Sequence, residues 1–266
     1  MRITSRSNPR IRLARRLLRR RGREMSDRWL VEGVRPLEEA LRHGTAVETL
    51  FVTDDALRQD RVAALVEAAR QAGAVAYEVP AELLVEVSDA QTPQGVVGIV
   101  LAPTRSAALP ADPNPWMLVV DRVQDPGNLG TLCRTALAAS VTCVALLHGT
   151  VDPGNPKAIR ASAGAVFGLP ITQLSGEELV AQVKRQGIRL VTADLAGERS
   201  IYDIDWTGPT ALVVGNEAAG PSELLKDASD ELVRIPMPGP AESLNVSVAA
   251  AVCLYEGVRQ RFLAVE

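Results

Sequence analysis

The chain has 266 residues, of which 47% are hydrophobic and 23% charged, and its formal net charge is −3. This length accommodates two modest domains, and the composition excludes a fibrous or disordered protein. The three cysteines and two histidines show no zinc-binding spacing, so we expect reduced thiols and no metal site. No apolar run reaches the roughly 20 residues of a membrane span. We therefore expect a cytoplasmic protein without a membrane anchor.

The first 28 residues are strongly basic. They contain eleven arginines against Glu24 and Asp27, a net charge of +9, so the remainder of the chain carries −12. The segment lacks the apolar stretch of a secretory signal. Charge alone leaves three interpretations open, namely RNA binding, a solvated basic helix and an organelle transit peptide. The helical spacing of several arginines favours an ordered helix with one basic face, and the candidate RNA-binding residues are Arg6, Arg10, Arg16 and Arg20.

A small α/β unit is predicted between residues 29 and 101. Short apolar runs indicate strands at 29–31, 49–52, 75–79 and 96–101. Helical patterns lie between them at 36–42, 61–72 and 81–87. Four prolines then favour an extended linker over residues 102–115, and we place a domain boundary in that segment.

A second α/β series follows the linker. Strands are predicted at 117–120, 143–147, 189–193, 211–214 and 232–235, and helices at 129–139, 157–164, 177–186 and 246–262. The strands are almost continuously apolar, which is typical of a parallel sheet covered on both faces. The last helix has a clear apolar face, formed by Val246, Ala249, Ala250, Cys253, Leu254, Gly257 and Val258.

The first of three polar segments follows the strand at 117–120. Residues 121–136 are Asp-Arg-Val-Gln-Asp-Pro-Gly-Asn-Leu-Gly-Thr-Leu-Cys-Arg-Thr-Ala. Ligands bind at such strand ends in α/β proteins. Asn128 is a candidate helix cap, and Arg134 lies further along the predicted helix. An ordinary strand-loop-helix connection would have the same appearance, so this segment alone does not decide between structure and function.

The second segment, residues 213–222, is Val-Val-Gly-Asn-Glu-Ala-Ala-Gly-Pro-Ser. It has neither the glycine spacing of a dinucleotide site nor the Lys-Ser/Thr of a phosphate-binding P-loop. Glu217 nevertheless supplies a carboxylate directly after a buried strand. A simple turn remains the alternative.

The third segment, residues 234–251, is Arg-Ile-Pro-Met-Pro-Gly-Pro-Ala-Glu-Ser-Leu-Asn-Val-Ser-Val-Ala-Ala-Ala. A proline-rich bend leads into Ser243 and Asn245 at the start of the last helix, where either side chain could be only an N-cap. Capping does not explain why three polar, glycine-containing strand ends occur in one domain.

Together and in this order, the three segments resemble motifs 1, 2 and 3 of the SpoU, or TrmH-like, branch of the SPOUT RNA methyltransferases. This resemblance covers residues 116–262. Residues 1–101 resemble the family's substrate-binding region of the ribosomal protein L30e type, through Ile3-Thr-Ser-Arg-Ser-Asn-Pro-Arg-Ile, Val31-Glu-Gly and Thr92-Pro-Gln-Gly. The implied organisation is a basic arm at 1–28, an L30e-like domain at 29–101, a linker at 102–115 and a SPOUT domain at 116–266. The basic arm is then RNA-binding sequence of the mature protein.

The resemblance implies a parallel-sheet domain with a deep trefoil knot formed after the strand at 211–214, although general topology rules favour an unknotted chain. It implies S-adenosyl-L-methionine as cofactor, RNA as substrate and a homodimer through the C-terminal domain. The implied catalytic residues are Asn128, Arg134, Glu217, Ser243 and Asn245. Those implied to bind the cofactor are Gly215, Ile235 and Leu244, with Met237 and Leu147 as weaker candidates.

The expected reaction is methyl transfer to a ribose 2′-hydroxyl of RNA, with ribosomal RNA favoured over tRNA. Because guanidinium stays protonated, Arg134 is not expected to act as a base. We expect it to bind a phosphate and to stabilise the negative charge that develops on the ribose oxygen. Two alternatives remain at the level of sequence: a non-catalytic RNA-binding protein of ribosome assembly, and base methylation by a SPOUT relative.

Overall fold

The computed structural model describes residues 1–104 and 106–263, with the backbone alone at residues 262 and 263. The fold is mixed α/β and divides into two compact units. The first unit comprises Met1–Thr104 with Asp152–Gly168, and the second comprises Arg105–Val151 with Leu169–Glu266. The sequence had placed residues 152–168 in the second domain, whereas they pack with the N-terminal residues.

The described residues form helices and strands that alternate along the chain. The helices are α1 (Pro9–Leu17), α2 (Arg20–Glu24), α3 (Val34–Arg42), α4 (Asp54–Leu57), α5 (Asp60–Gln71), α6 (Ala81–Val85), α7 (Pro126–Ala138), α8 (Pro156–Ala161), α9 (Gly176–Gln186), α10 (Glu223–Ala228) and α11 (Val246–Leu263). The strands are β1 (Arg28–Glu32), β2 (Val47–Val52), β3 (Val75–Glu78), β4 (Val96–Leu101), β5 (Trp116–Val120), β6 (Cys143–Leu147), β7 (Ile171–Leu174), β8 (Arg189–Ala193), β9 (Arg199–Ser200), β10 (Thr210–Val214) and β11 (Glu231–Arg234).

The first unit contains a four-stranded sheet in the order β1-β4-β2-β3. Strand β4 runs antiparallel to both of its neighbours, and β2 runs parallel to β3. The predicted strands and helices of this unit are all present, with bounds that shift by a few residues. This smaller N-terminal α/β domain is thus confirmed.

Residues 1–28 are an integral part of the first unit and not a separate arm. Asn8 caps α1 by accepting the backbone N–H of Arg10, and Pro9 occupies the first turn. Residues Ile11, Ala14 and Leu17 are fully buried at helical spacing, within a cluster that includes side chains of β1, β2 and β4. The incomplete apolar stripe seen in the sequence is sufficient because these strands complete its core.

The second unit contains a seven-stranded sheet in the order β7-β6-β5-β10-β8-β11-β9. Every pairing in it is parallel, as the continuous apolar strands predicted. The connection from β9 back to β10 and the connection from β10 out to β11 both pass β8. This is the region where the family resemblance implies the knot.

The segment predicted as a linker contains no helix or strand in its described residues; residue 105 lies outside them. It is nevertheless anchored to the second unit. Gln182 on α9 accepts the backbone N–H of Leu109 and donates to the carbonyl of Ala107. Leu109 is buried in the core of the unit.

Candidate functional site

A cavity of about 370 Å³ opens where strands β8, β10 and β11 end. It lies at the carboxyl edge of the parallel sheet, the usual ligand position in such folds. Its walls combine backbone, apolar and charged groups. They are formed by Ala193, Asp194, Leu195, Val214, Gly215, Asn216, Glu217, Ala218, Ala219, Gly220, Pro221, Lys226, Val233, Ile235, Met237, Ser243, Leu244, Val246 and Ala249.

One wall is a tight turn between β10 and α10. Asn216 and Gly220 exchange two backbone hydrogen bonds of 3.1 and 2.9 Å. Gly220 has a φ of +69°, in the left-handed region that favours glycine. A Cβ on Gly215 would lie 2.0 Å from the backbone nitrogen of Pro221, so this position admits no side chain. The turn therefore exposes backbone groups to the cavity.

Glu217, at the tip of this turn, binds the loop before α7. Its Oε1 accepts the backbone N–H of Asp125 at 3.1 Å and the side-chain amide of Asn128 at 3.0 Å. Its Oε2 accepts the backbone N–H of Gln124 at 3.2 Å. Both carboxylate oxygens are thus used to join the second segment to the first.

Asn128 continues this network toward the third segment. Its Oδ1 accepts the side-chain amide of Asn245 at 3.0 Å. The Oδ1 of Asn245 in turn accepts the backbone N–H and the hydroxyl of Ser247 in the first turn of α11. A continuous chain of hydrogen bonds therefore runs from α11 through Asn245 and Asn128 to Glu217.

The network also sets the charge state of Glu217. Partial burial alone would raise the pKa of this carboxyl. The hydrogen bonds from Asn128 and from the backbone of residues 124 and 125 outweigh that effect, and the pKa of Glu217 lies below its ordinary value. The carboxylate is therefore ionised at neutral pH.

Asp121 provides a second link between the first two segments. It is buried at the end of β5, and its Oδ2 accepts the backbone N–H of Ser222 at 2.6 Å. The next residue, Arg122, has a φ of +58°, and its carbonyl accepts the side-chain amide of Asn216. Such a backbone conformation persists only where surrounding contacts impose it.

Helix α7 starts earlier than predicted. We expected Asn128 to cap a helix beginning at residue 129, but the cap is Asp125 and the helix begins at Pro126. The carboxylate of Asp125 accepts the backbone N–H of Asn128, so the asparagine side chain is free for its contacts with Glu217 and Asn245. Proline at the first helical position favours this earlier start.

Arg134 does not join the Glu217 network. It lies on α7 six residues after Asn128 and is exposed. Its side chain forms no ion pair or hydrogen bond with the part of the chain that the structure describes. The guanidinium is thus carried by a helix that Glu217 fixes, with its five donors available to another molecule.

The predicted cofactor-binding residues are mostly brought together. Gly215, Ile235, Met237 and Leu244 line the cavity, as does the predicted catalytic residue Ser243. Leu147 does not: it is 3% exposed and packs in the apolar core at the end of β6. The family resemblance had implied Leu147 as a weaker candidate, but β6 is separated from β10 by β5 in the sheet.

Two charged residues of the cavity were missed by the sequence reasoning. Asp194 follows β8, and its Oδ2 lies 3.1 Å from the Nζ of Lys226 on α10. Hydrogen bonds to Asp194 and Glu223 raise the pKa of Lys226. The signal for Asp194 was present, since it directly follows a predicted parallel strand. Nothing in the sequence pattern brings Lys226 to the same place.

The four candidate RNA-binding arginines belong to the first unit and differ in their surroundings. Arg6 pairs with Glu86 and Arg20 with Glu24. Arg10 is half-buried and donates to the hydroxyl of Thr49. Arg16 is exposed and has no side-chain partner within residues 1–104 or 106–263.

The three cysteines of the chain are all buried. Cys133, Cys143 and Cys253 are buried free thiols, and burial raises the pKa of Cys133 and Cys253 to about 12. Within the described residues, no group of His, Cys, Asp and Glu side chains is arranged to hold a metal. Likewise, no helix found there has the length and hydropathy needed to cross a membrane.

Comparison with known families identifies both regions. Residues 115–255 match the SpoU rRNA methylase family, and residues 8–98 match the MRM3-like substrate binding domain. The first match contains the whole Asn245, Asn128 and Glu217 network. The chain belongs to the SpoU rRNA methylase family. Its fold is therefore the SPOUT fold, preceded by a substrate-binding domain.

Full-length relatives support this membership in the SpoU family. The chain is 32% identical to the 23S rRNA (guanosine(2553)-2′-O)-methyltransferase RlmP of Bacillus subtilis, over 95% of this chain and 97% of that protein. It is 35% identical to the 23S rRNA (uridine(2479)-2′-O)-methyltransferase of Streptomyces viridochromogenes, over 98% and 92% of the two chains. The crystal structure of an AdoMet-bound rRNA methyltransferase from Sinorhizobium meliloti superposes with a TM-score of 0.87 at 30% identity, over 97% of each chain.

Proposed function

We propose that this SpoU family member transfers the methyl group of S-adenosylmethionine to a ribose 2′-hydroxyl of 23S ribosomal RNA. The observation that carries the proposal is the hydrogen-bonded chain from Asn245 through Asn128 to Glu217, beside a cavity at the carboxyl edge of the sheet. Relatives of nearly equal length are named as 23S rRNA 2′-O-methyltransferases. A cytoplasmic location follows from such a substrate.

The cavity suits S-adenosylmethionine in size and lining. Its volume of about 370 Å³ lies within the range of small-molecule sites. Ile235 and Leu244 supply apolar surface for an adenine ring, and the turn at Gly215 supplies backbone groups. Asp194 and Lys226 add charged groups able to contact the polar parts of the molecule.

Bound S-adenosylmethionine supplies a methyl group activated by its sulfonium. The protein then has to orient the ribose oxygen for in-line attack and stabilise the charge that develops on it. Glu217 and Asn128 fix the first turn of α7, and that helix carries Arg134. We assign Arg134 to the phosphate beside the reacting ribose, because a planar guanidinium binds phosphate in bidentate fashion while remaining protonated. Proton removal is then assisted by that phosphate or by water.

Replacing Arg134 by lysine tests this assignment. Lysine keeps the positive charge but cannot bind phosphate in bidentate fashion as the planar guanidinium does. The single-turnover methylation rate should therefore fall by about 100-fold or more. The calorimetric Kd for S-adenosylmethionine should not change, because Arg134 does not line the cavity. Arg185→Lys is the matched control, since Arg185 is another exposed arginine of the second unit and lies outside the site. A near-normal rate for Arg134→Lys would contradict the assignment.

The homodimer belongs to the same proposal. Helix α11 buries Ala250, Cys253 and Leu254 within the second unit. Its other side leaves Val248 and Tyr255 about half exposed, at 48% and 51%. These two residues lie two helical turns apart on one face, as a helix-helix contact requires. A second copy of the chain would cover both.

A further inference from the structure

The eleven arginines of residues 1–28 fall into two groups. Seven are engaged within the first unit. Arg2 pairs with Glu78, Arg6 and Arg15 with Glu86, Arg20 with Glu24, Arg23 with Asp152 and Arg28 with Glu48, while Arg10 donates to Thr49. The other four are exposed, and their side chains have no ion pair or hydrogen bond with any residue that the structure describes: Arg12, Arg16, Arg19 and Arg21.

These four residues lie on or beside the consecutive helices α1 and α2, and we call them the basic corner. Arg12 and Arg16 are one turn apart on α1, on the side opposite the buried Ile11, Ala14 and Leu17. Arg19 is the residue before α2, and Arg21 lies in its first turn. The basic corner is therefore a concentration of positive charge on two consecutive helices.

A buried arginine holds the two helices together. Arg23 is 4% exposed, and its guanidinium donates to the carbonyls of Leu17 and Leu18 at 2.9 and 3.1 Å. Asp152 balances its charge at 2.7 Å. Gly22 permits the close approach, since a Cβ there would lie 2.0 Å from the carbonyl oxygen of Arg16. The contacts of Arg23 and Gly22 thus hold together the two helices that carry the basic corner.

We propose that the basic corner binds successive phosphates of the RNA substrate. Like charges at Arg12 and Arg16 repel one another across one helical turn, and a bound polyanion relieves that repulsion. Guanidinium groups pair with phosphate oxygens through charge-assisted hydrogen bonds. Glu86 and Glu24 are already paired with other arginines of this segment. The inference rests on the proposed function. Of the four arginines predicted from the sequence it keeps Arg16, and it replaces the engaged Arg6, Arg10 and Arg20 by Arg12, Arg19 and Arg21.

The test compares two fourfold variants of the full chain. The corner variant replaces Arg12, Arg16, Arg19 and Arg21 by glutamine. The control variant makes the same charge change on exposed arginines elsewhere in the first unit, namely Arg42, Arg58, Arg61 and Arg70. Binding of a fluorescein-labelled RNA stem-loop is measured by fluorescence anisotropy between about 50 and 300 mM salt. In this range phosphate contacts make the affinity strongly dependent on salt.

The corner variant should bind the stem-loop at least about tenfold more weakly than the control, and the slope of log K against log salt should become shallower by about 3. Equal affinities and slopes for the two variants would overturn the proposal. The proposal would also be overturned if the corner variant lost binding to phosphatidylserine vesicles but kept its RNA binding, since the basic corner would then be a membrane contact. If the fourfold corner variant does not fold, the pairs Arg12→Gln/Arg16→Gln and Arg19→Gln/Arg21→Gln should each reduce the slope by about half as much.

The proposed function can fail separately from this inference. If the wild-type chain forms no 2′-O-methylated nucleoside but still shows the corner-dependent salt slope, the basic corner binds RNA and the assigned reaction is wrong. If methylation occurs and the corner variant matches the control in binding, only the basic corner is rejected.

Discussion

At the scale of single residues, Glu217 is the centre of the hydrogen-bond network that joins the polar segments. From the residues alone, Asn128 and Asn245 were candidate helix caps and Glu217 was a carboxylate after a strand, and only the family resemblance implied a catalytic role. Their mutual contacts were not predictable, since Asn128 lies 89 residues before Glu217 and 117 before Asn245. Parallel strands end at the same edge of the sheet, and this brings together the turn at Glu217, the start of α7 and the loop before α11. Each of these elements is ordinary by itself.

Replacing Glu217 by glutamine should weaken this network. Glutamine can accept with one oxygen, but its amide group would lie against the backbone N–H of either Gln124 or Asp125, each of which now donates to its own carboxylate oxygen. We expect single-turnover methylation to fall by about tenfold to 100-fold, with thermal unfolding at a lower temperature. Glu198→Gln is the matched control, because it makes the same chemical change at an exposed carboxylate of the second unit that does not line the cavity. Wild-type rates for Glu217→Gln would contradict the positioning role.

The depressed pKa of Glu217 gives this comparison a pH dependence. A carboxyl whose pKa is lower in the folded state stabilises the fold above its unfolded pKa, near 4.3, and this contribution is lost as pH falls through the folded value. The difference in unfolding free energy between wild type and Glu217→Gln should thus be constant from about pH 6 to 8 and shrink below about pH 4. Urea unfolding at several pH values measures it. A difference that grows on acidification would show that the carboxylate is not stabilised as described.

At the scale of helices and strands, the continuous apolar segments were predictable, whereas the mixed four-residue strand β7 and the short polar elements were not. Each predicted strand is present, because continuous β-branched runs are distinctive. Strand β9 consists of Arg199 and Ser200 and carries no apolar signal. Helices α4 and α10 have four and six residues, which is too short for a hydrophobic period to be recognised.

Helix α11 offers a test of packing at this scale. A Cβ on Gly257 would lie 2.6 Å from the ring of Trp116, which also contacts Trp206 and lies under the guanidinium of Arg261. Alanine improves helix propensity by about 1 kcal/mol, but overpacking a buried site costs about 1–3 kcal/mol. We expect Gly257→Ala to lower the Tm by a few degrees. Gly208→Ala, where nothing lies within 4 Å, should not lower it. A higher Tm for Gly257→Ala would show that the ring moves aside easily.

At the scale of the whole molecule, two α/β domains were predictable from the sequence, but the path of the chain between them was not. Residues 152–168 pack with the first unit although they follow β6 of the second. Their helix α8 carries Arg160, which pairs with the buried Glu32 at 3.1 Å. No local pattern reveals such a contact, because it joins residues that are 128 positions apart.

The proposed homodimer can be tested by placing a charge on the exposed face of α11. Tyr255→Glu should convert a dimer into a monomer in sedimentation equilibrium, since a buried unpaired carboxylate strongly opposes association. Tyr202→Glu is the matched control, because Tyr202 is equally exposed but lies outside α11. If the Tyr255→Glu variant forms dimers of unchanged stability, α11 is not part of the interface.

The most direct test of the central claim is to identify the methylated nucleoside. Wild-type protein is incubated with labelled S-adenosylmethionine and, separately, with unmodified 23S rRNA and with a tRNA pool, and the products are digested to nucleosides. We predict a 2′-O-methylnucleoside from 23S rRNA alone, and its loss when Arg134 is replaced by alanine. Label on a base, or label in tRNA only, would contradict the account.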